Sequence, residues 1–176
     1  MVPQPQRRDR GDRGLLRARR DAGGGGIPLR RRGHRRVPDR LTVARPLPPE
    51  TLHLFDEPNF GHLATIMPDG SPQSSVVWVD RDSDTVVLNT AAGRVKHRNI
   101  IRDQRVSLSI HNRNRPTEYV EVRGLASLSD EGADVHIDAL ARKYLGKAVY
   151  PFRFAGMERV IIRIAAENVF HRAPTD

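Results

Sequence analysis

The stretch TVVLNTAAGRVKHRNIIRDQR, Thr85 to Arg105, decides the fold. Val86, Val87 and Leu88 form a short apolar run with strand character, Asn89 to Gly93 reads as a turn of small residues, and helix-favouring residues resume at Arg94. The pattern predicts a strand entering a helix whose first turn is basic. A helix start presents unpaired backbone N–H groups and the positive end of its dipole, and Arg94 and Lys96 add full charges there. That layout suits a phosphate. Arg94, Arg98 and Arg102 recur every four residues, so they line one face, which is either a cationic stripe for an anionic tail or a solvated helix surface.

Upstream, GHLATIMPDGSPQSSVVWVD, residues 61–80, is two strand-like runs around a strong turn signal at Pro68-Asp69-Gly70-Ser71. Leu63, Thr65 and Met67 point to one side and Ala64 and Ile66 to the other, so the first strand is covered on both faces, as in a small barrel. In the second, Ser74, Val76 and Trp78 share a face opposite Ser75, Val77 and Val79. Arg81 to Asp84 turns the chain into the strand at Val86. Ahead of the hairpin, Pro48-Pro49-Glu50 opens a short helix that Pro58 ends.

Downstream, Val106, Leu108 and Ile110 alternate with Ser107, Ser109 and His111 as a strand. A loop follows, then a strand over Tyr119 to Leu128 in which Gly124 marks a bulge or a close approach. Ala133, Ile137, Leu140, Ala141 and Tyr144 have helical spacing with Gly146 as a stop, and the last strand is Arg159 to Ile164. Hairpins without regular βαβ alternation predict a mainly β fold, an antiparallel barrel with peripheral helices.

Charge divides the chain. Residues 1–45 hold fourteen Arg against four Asp, a net of +10, and residues 46–176 hold sixteen basic against seventeen acidic side chains. The leader, with Gly23 to Gly26 in a row and few large apolar residues, is expected to be disordered. It reads as an upstream stretch included by a start-site assignment, with translation beginning near Leu41 or Val43, or as a basic arm for nucleic acid. A targeting peptide fits less well, because Asp9, Asp12, Asp21 and Asp39 interrupt it. Residues 46–176 are expected to form one domain. The chain has no Cys, and it has no apolar run long enough to span a membrane, so a cytoplasmic protein is expected. The His residues show no metal-ligand spacing, and no metal site is expected.

Four segments in order, HLATIMPDGSPQSSVVWVD (62–80), VVLNTAAGRVKHRNIIRDQRVSL (86–108), YVEVRGLASL (119–128) and ERVIIRIAAENVF (158–170), resemble the pyridoxamine 5'-phosphate oxidase-like split β-barrel superfamily. The form Gly93-Arg94-Val95-Lys96 is similar to that of the actinobacterial reductases that use the deazaflavin coenzyme F420. The resemblance implies an FMN- or deazaflavin-binding split barrel, a homodimer with cofactor at the interface, and hydride transfer from reduced deazaflavin C5 to an electron-poor double bond of a small organic substrate. It implies that Arg94, Val95 and Lys96 hold the phosphate, that Asn89 and Thr90 line the approach, and that Ser75, Val76 and Trp78 touch the ring. Trp78 then either narrows the pocket or packs in the core. An FMN-dependent oxidase-like enzyme, or a non-catalytic flavin, deazaflavin or haem binder, are the alternatives on the same fold. No catalytic side chain is assigned, since the chemistry belongs to the cofactor; Tyr119 is a candidate proton donor if its hydroxyl faces the pocket. The loops 112–116 and 148–154 are expected to shape the substrate site.

Overall fold

The computed structural model describes residues 44–174. Apart from Ala44 and Arg45, the expectations for the leader fall outside this range. Arg45 is already tied to the barrel, its N–H donating to Ala166 O at 2.7 Å.

A 3-10 turn at Pro49–Thr51 runs into a short helix, α1 (Leu52–Asp56), followed by β1 (Phe60–Ile66), β2 (Pro72–Asp82) and β3 (Thr85–Ala91). Then come α2 (Val95–Arg102), β4 (Arg105–His111), β5 (Tyr119–Ser129), α3 (Ala133–Leu145) and β6 (Arg159–Arg172). The strands close into an antiparallel barrel in the order β1-β2-β3-β6-β5-β4. Closure removes the unpaired strand edges that an open sheet of this size would expose.

The β1–β2 turn forms as its sequence predicts: Asp69 Oδ1 accepts bonds from Ser71 N (3.0 Å) and Ser71 Oγ (2.6 Å), and Gly70 takes φ 85°. Those Ser71 bonds hold the Asp69 carboxyl below its usual range. Inside the barrel Leu63, Val79, Leu88, Leu108, Val122 and Ile162 are fully buried, each on the inward phase of its strand. The inward phase of β1 is Leu63 with Thr65, whereas Ala64 and Ile66 are only half-buried.

Gly124 marks both features expected of it. The β5–β6 register shifts between Arg123 and Gly124, and a Cβ at Gly124 would collide with the backbone carbonyl of Ala165. The fifth and sixth strands therefore approach too closely there for any side chain.

Two elements differ from expectation. Asn89 and Thr90, read above as turn residues, are in β3, paired with Ile161 and Val160 of β6; pairing with a central strand outweighs the weak strand preference of Asn. And β6 runs to Arg172, eight residues past Ile164, because it stays paired with β5 after it has left β3. Its apolar alternation fades there, since Asn168 and Phe170 face solvent.

Helix α3 lies across the outer face of the barrel, where Ala133 packs on Val87 and Ile161. Two of its side chains anchor it to β2: the Tyr144 hydroxyl accepts from Val79 N (2.8 Å) and donates to Asn59 O (2.5 Å), and Lys143 Nζ donates to Val79 O (2.8 Å) and to Phe55 O. Gly146 ends the helix at φ 66°, as a left-handed C-terminal residue should. The outer face of β1, β2 and β3 beside α3 is left open to form the site.

Candidate functional site

The side chains on that outer face are set by strand phase. Val76 and Trp78 project from β2, Phe60 from the paired position opposite Trp78, and Asn89 from β3. Together with Ile137 and Leu140 of α3 they wall a cavity of about 230 Å³. The loop after α3 folds over it, contributing Tyr150 and Phe152. Trp78 is half-buried and stacked on Tyr144, with ring centroids 5.1 Å apart and planes within 7°, and Tyr150 meets its edge at 6.0 Å. Trp78 thus packs outside the barrel core, as part of the cavity wall.

At one end of the cavity are three cations, Arg94, Lys96 and Arg159. Arg94 stands at the start of α2, a helix that no side chain caps at its N-terminus, so the first-turn N–H groups add to the positive field. Arg159 begins β6 opposite Ala91 and two residues before Ile161, the partner of Asn89; that diagonal puts Arg159 and Asn89 on one face. Arg159 Nε donates to Asn89 Oδ1 at 2.7 Å, and its guanidinium lies over the Tyr150 ring at 5.2 Å. Arg159 is 6% exposed. Among the described residues, no carboxylate within 4.0 Å pairs with any of the three. Burial pushes the Lys96 ammonium below its usual value, and the charges of Arg94 and Arg159 push it further. Burial likewise depresses Arg159, with Arg94 adding to the effect. Arg159 is buried, Lys96 half-buried and Arg94 exposed; a buried charge is ordinarily paired, so this converging set without an acid is a place for an anion.

Behind the cations runs a polar chain into the body of the fold. Asn89 Nδ2 donates to Ala133 O (2.8 Å) and lies 3.3 Å from His136 Nδ1, whose Nε2 is 3.8 Å from Asp80 Oδ2. Lys143 Nζ is 3.6 Å from Asp80 Oδ1. Burial would raise the Asp80 carboxyl, but His136 and Lys143 outweigh it and hold it below the usual range. A second cleft of about 340 Å³ adjoins at Arg94, with Gly93, Phe154, Met157 and Glu158 in its walls.

Of the residues singled out from sequence, Val76, Trp78, Asn89, Arg94 and Lys96 meet around the cavity. Ser75 and Thr90 fall on the opposite strand phase, and their hydroxyls are buried within the barrel without a hydrogen-bond partner. Val95 is exposed at the helix start, outside the lining. The cationic stripe is divided: Arg98 donates to Gly93 O, and Arg102 to Ile66 O and toward Asn99 Oδ1 (3.4 Å), so neither reaches the cavity. Tyr119 packs on Phe170 at 5.8 Å, away from the lining. The loop 148–154 reaches the site, whereas 112–116 bonds back to Asn59 through Arg113 N and is used elsewhere. The sequence gives no sign of Arg159, because a lone Arg at a strand start resembles any solvated edge residue until the register is known.

Among the described residues no group of three His, Asp or Glu is placed to hold a metal ion, and no helix is long and apolar enough to cross a membrane.

Comparison with curated proteins gives no match. Among solved structures, the chain is similar to one named F420 Reductase, with 28% identity, 70% of this chain and 98% of that chain covered, and a TM-score of 0.63. It is also similar to the conserved hypothetical protein Rv2991 of Mycobacterium tuberculosis (25% identity, 72% and 84% covered, TM-score 0.58). General Stress Protein 26 of Bacillus anthracis shares the fold at 18% identity, with 72% and 94% covered and a TM-score of 0.53. The model of the family described as pyridoxamine 5'-phosphate oxidase matches residues 47–173, nearly the whole of the barrel, and the chain belongs to that family.

Proposed function

We propose that the protein is an oxidoreductase that binds a deazaflavin cofactor, coenzyme F420, in the cavity between β2 and α3. The observation that carries this reading is the junction of an aromatic wall, Phe60 and Trp78, with the unpaired cations Arg94 and Lys96 in one cavity. The likeness to a structure named F420 Reductase at 28% identity supports the deazaflavin over FMN. So does the second cleft meeting the first at Arg94, which favours an elongated ligand.

When bound, the reduced deazaflavin supplies a hydride to an electron-poor double bond of the substrate. Arg94 and Lys96 hold the phosphate by charge-assisted hydrogen bonds. Val76 and Trp78 bear on the ring and fix its plane, which is the positioning a hydride transfer needs. Tyr150 and Phe152 cover the cavity and limit water. Val95 joins the phosphate site through its backbone N–H, while Ser75 and Thr90 support it from inside the barrel. Phe60, Val76 and Phe152 stay 44%, 59% and 61% exposed, so a second copy of the chain is proposed to cover this face and complete the site as a homodimer in the cytoplasm.

Fluorescence titration of the full chain with coenzyme F420 and with FMN tests the assignment. Tighter deazaflavin binding is expected; equal or tighter FMN binding moves the reading to an FMN enzyme on the same fold.

A further inference from the structure

We propose that Arg159 is an anion-binding residue in its own right, aimed by Asn89, so that the cavity accepts a ligand carrying at least two negative charges at this end. The proposal deepens the phosphate site above without depending on which cofactor fills it.

Three observations carry it. First, Arg159 is 6% exposed, lines the cavity and has no carboxylate partner within 4.0 Å among the described residues. A guanidinium has five N–H donors in a fixed plane. Nε is committed to Asn89 Oδ1 at 2.7 Å, and Met157 Sδ lies 3.5 Å from one terminal nitrogen, a weak acceptor that leaves strong donors available.

Second, the orientation of Asn89 is settled by its neighbours. Its Nδ2 faces the Ala133 carbonyl at 2.8 Å, which accepts only, so Oδ1 must be the atom turned to Arg159. That places an oriented but uncharged acceptor behind the guanidinium. An Asp at position 89 would have neutralised the Arg; an amide holds it in place and leaves its charge for a ligand.

Third, Tyr150 lies against the guanidinium at 5.2 Å, confining its plane from a second direction. With Arg94 and Lys96 on the same cavity, the mutual repulsion of three cations is relieved by more than one negative charge. A phosphate monoester, a diphosphate, or a phosphodiester with an adjacent carboxylate all meet this requirement.

The probe is inorganic pyrophosphate, titrated calorimetrically into the full chain and into Arg159→Met and Asn89→Asp. The wild type is expected to bind saturably at low salt and both variants to bind at least about 10-fold more weakly, the size of one lost charge-assisted bond. Asn89→Asp keeps an acceptor on Arg159 and adds an ion pair, but loses the bond to Ala133 O, so its affinity is read on protein whose fold is first verified by circular dichroism. Unchanged pyrophosphate affinity in either variant overturns the proposal, as does the absence of saturable binding to the wild type. Should Arg159→Met fail to fold, Asn89→Asp decides alone. Pyrophosphate binding that persists while coenzyme F420 fails to bind would remove the cofactor assignment and leave Arg159 as argued.

Discussion

Tyr144 joins β2 to the residue that leads into β1 with one oxygen: its hydroxyl accepts from Val79 N at 2.8 Å and donates to Asn59 O at 2.5 Å, so α3, β2 and the entry to β1 are tied at a single point. The ring above that oxygen is the one on which Trp78 stacks. Position of the cavity wall and stability of the helix are therefore coupled.

Tyr144→Phe leaves a strand N–H and a carbonyl unsatisfied and should cost about 1–3 kcal/mol, read as a lower melting temperature. Burial pushes the Tyr144 hydroxyl up to about 12 from its usual 10.0. Between those values the unfolded chain has lost this proton and the folded one has kept it, so stability falls as pH rises from 10.0 to about 12. Denaturant titrations across that window should show a decline that is shallower in Tyr144→Phe. Equal slopes would sink the coupling.

Gly124→Ala places a methyl group against the Ala165 carbonyl, a backbone atom that cannot rotate away. A loss of about 3 kcal/mol or more is expected, seen as poor soluble yield or a melting temperature many degrees lower. Gly70→Ala is the control, for its site is open and only its φ of 85° resists the change.

Arg94→Ala and Lys96→Ala should each weaken cofactor binding by about 10 to 150-fold, the equivalent of about 1.5–3 kcal/mol for a charged hydrogen bond. Arg102→Ala should instead lower stability and leave affinity nearly unchanged, because it bonds to Ile66 O on the far side of the helix. Since Lys96 lies below its ordinary 10.5, affinity should begin to fall at a lower pH than an exposed lysine would impose, with proton uptake on binding once the pH is alkaline enough to deprotonate it. Calorimetry in buffers of different ionisation enthalpy reads that uptake directly.

Trp78 is the only Trp in the chain, and it lines the cavity. A flavin or deazaflavin ring seated there should quench intrinsic emission, and Lys96→Ala should shift the midpoint of the quench without changing its limit. Emission that stays constant at saturation would put the ring elsewhere.

The barrel was readable from sequence because hairpin turns and period-2 burial are local signals. Pro68 to Ser71, Gly124 and Gly146 each did what their chemistry requires. The basic helix start is a local signal for Arg94 and Lys96, whereas Val76 and Trp78 follow from the family resemblance; all four line the cavity. Local signals did not reach Arg159 or its pairing with Asn89, seventy residues apart, since that contact exists only through the register of β3 with β6. Nor could alternation alone tell which face of β2 lines the cavity: Ser75 and Val76 are neighbours in sequence and lie on opposite sides of the wall in space.

Strand β6 enters between β3 and β5, and Arg159 is its first residue. Until it is in place, the other five strands form one open sheet, β3-β2-β1-β4-β5, whose outer flanks on β3 and β5 are unpaired and able to join another chain. Assembly of the barrel thus hinges on its final stave, and so does the anion site. Losing that strand strips the fold of its closure and the cavity of a cation in one step, whereas an error in an outer loop such as 112–116 costs neither. A nascent chain of this design is most exposed to aggregation just before its cavity is complete.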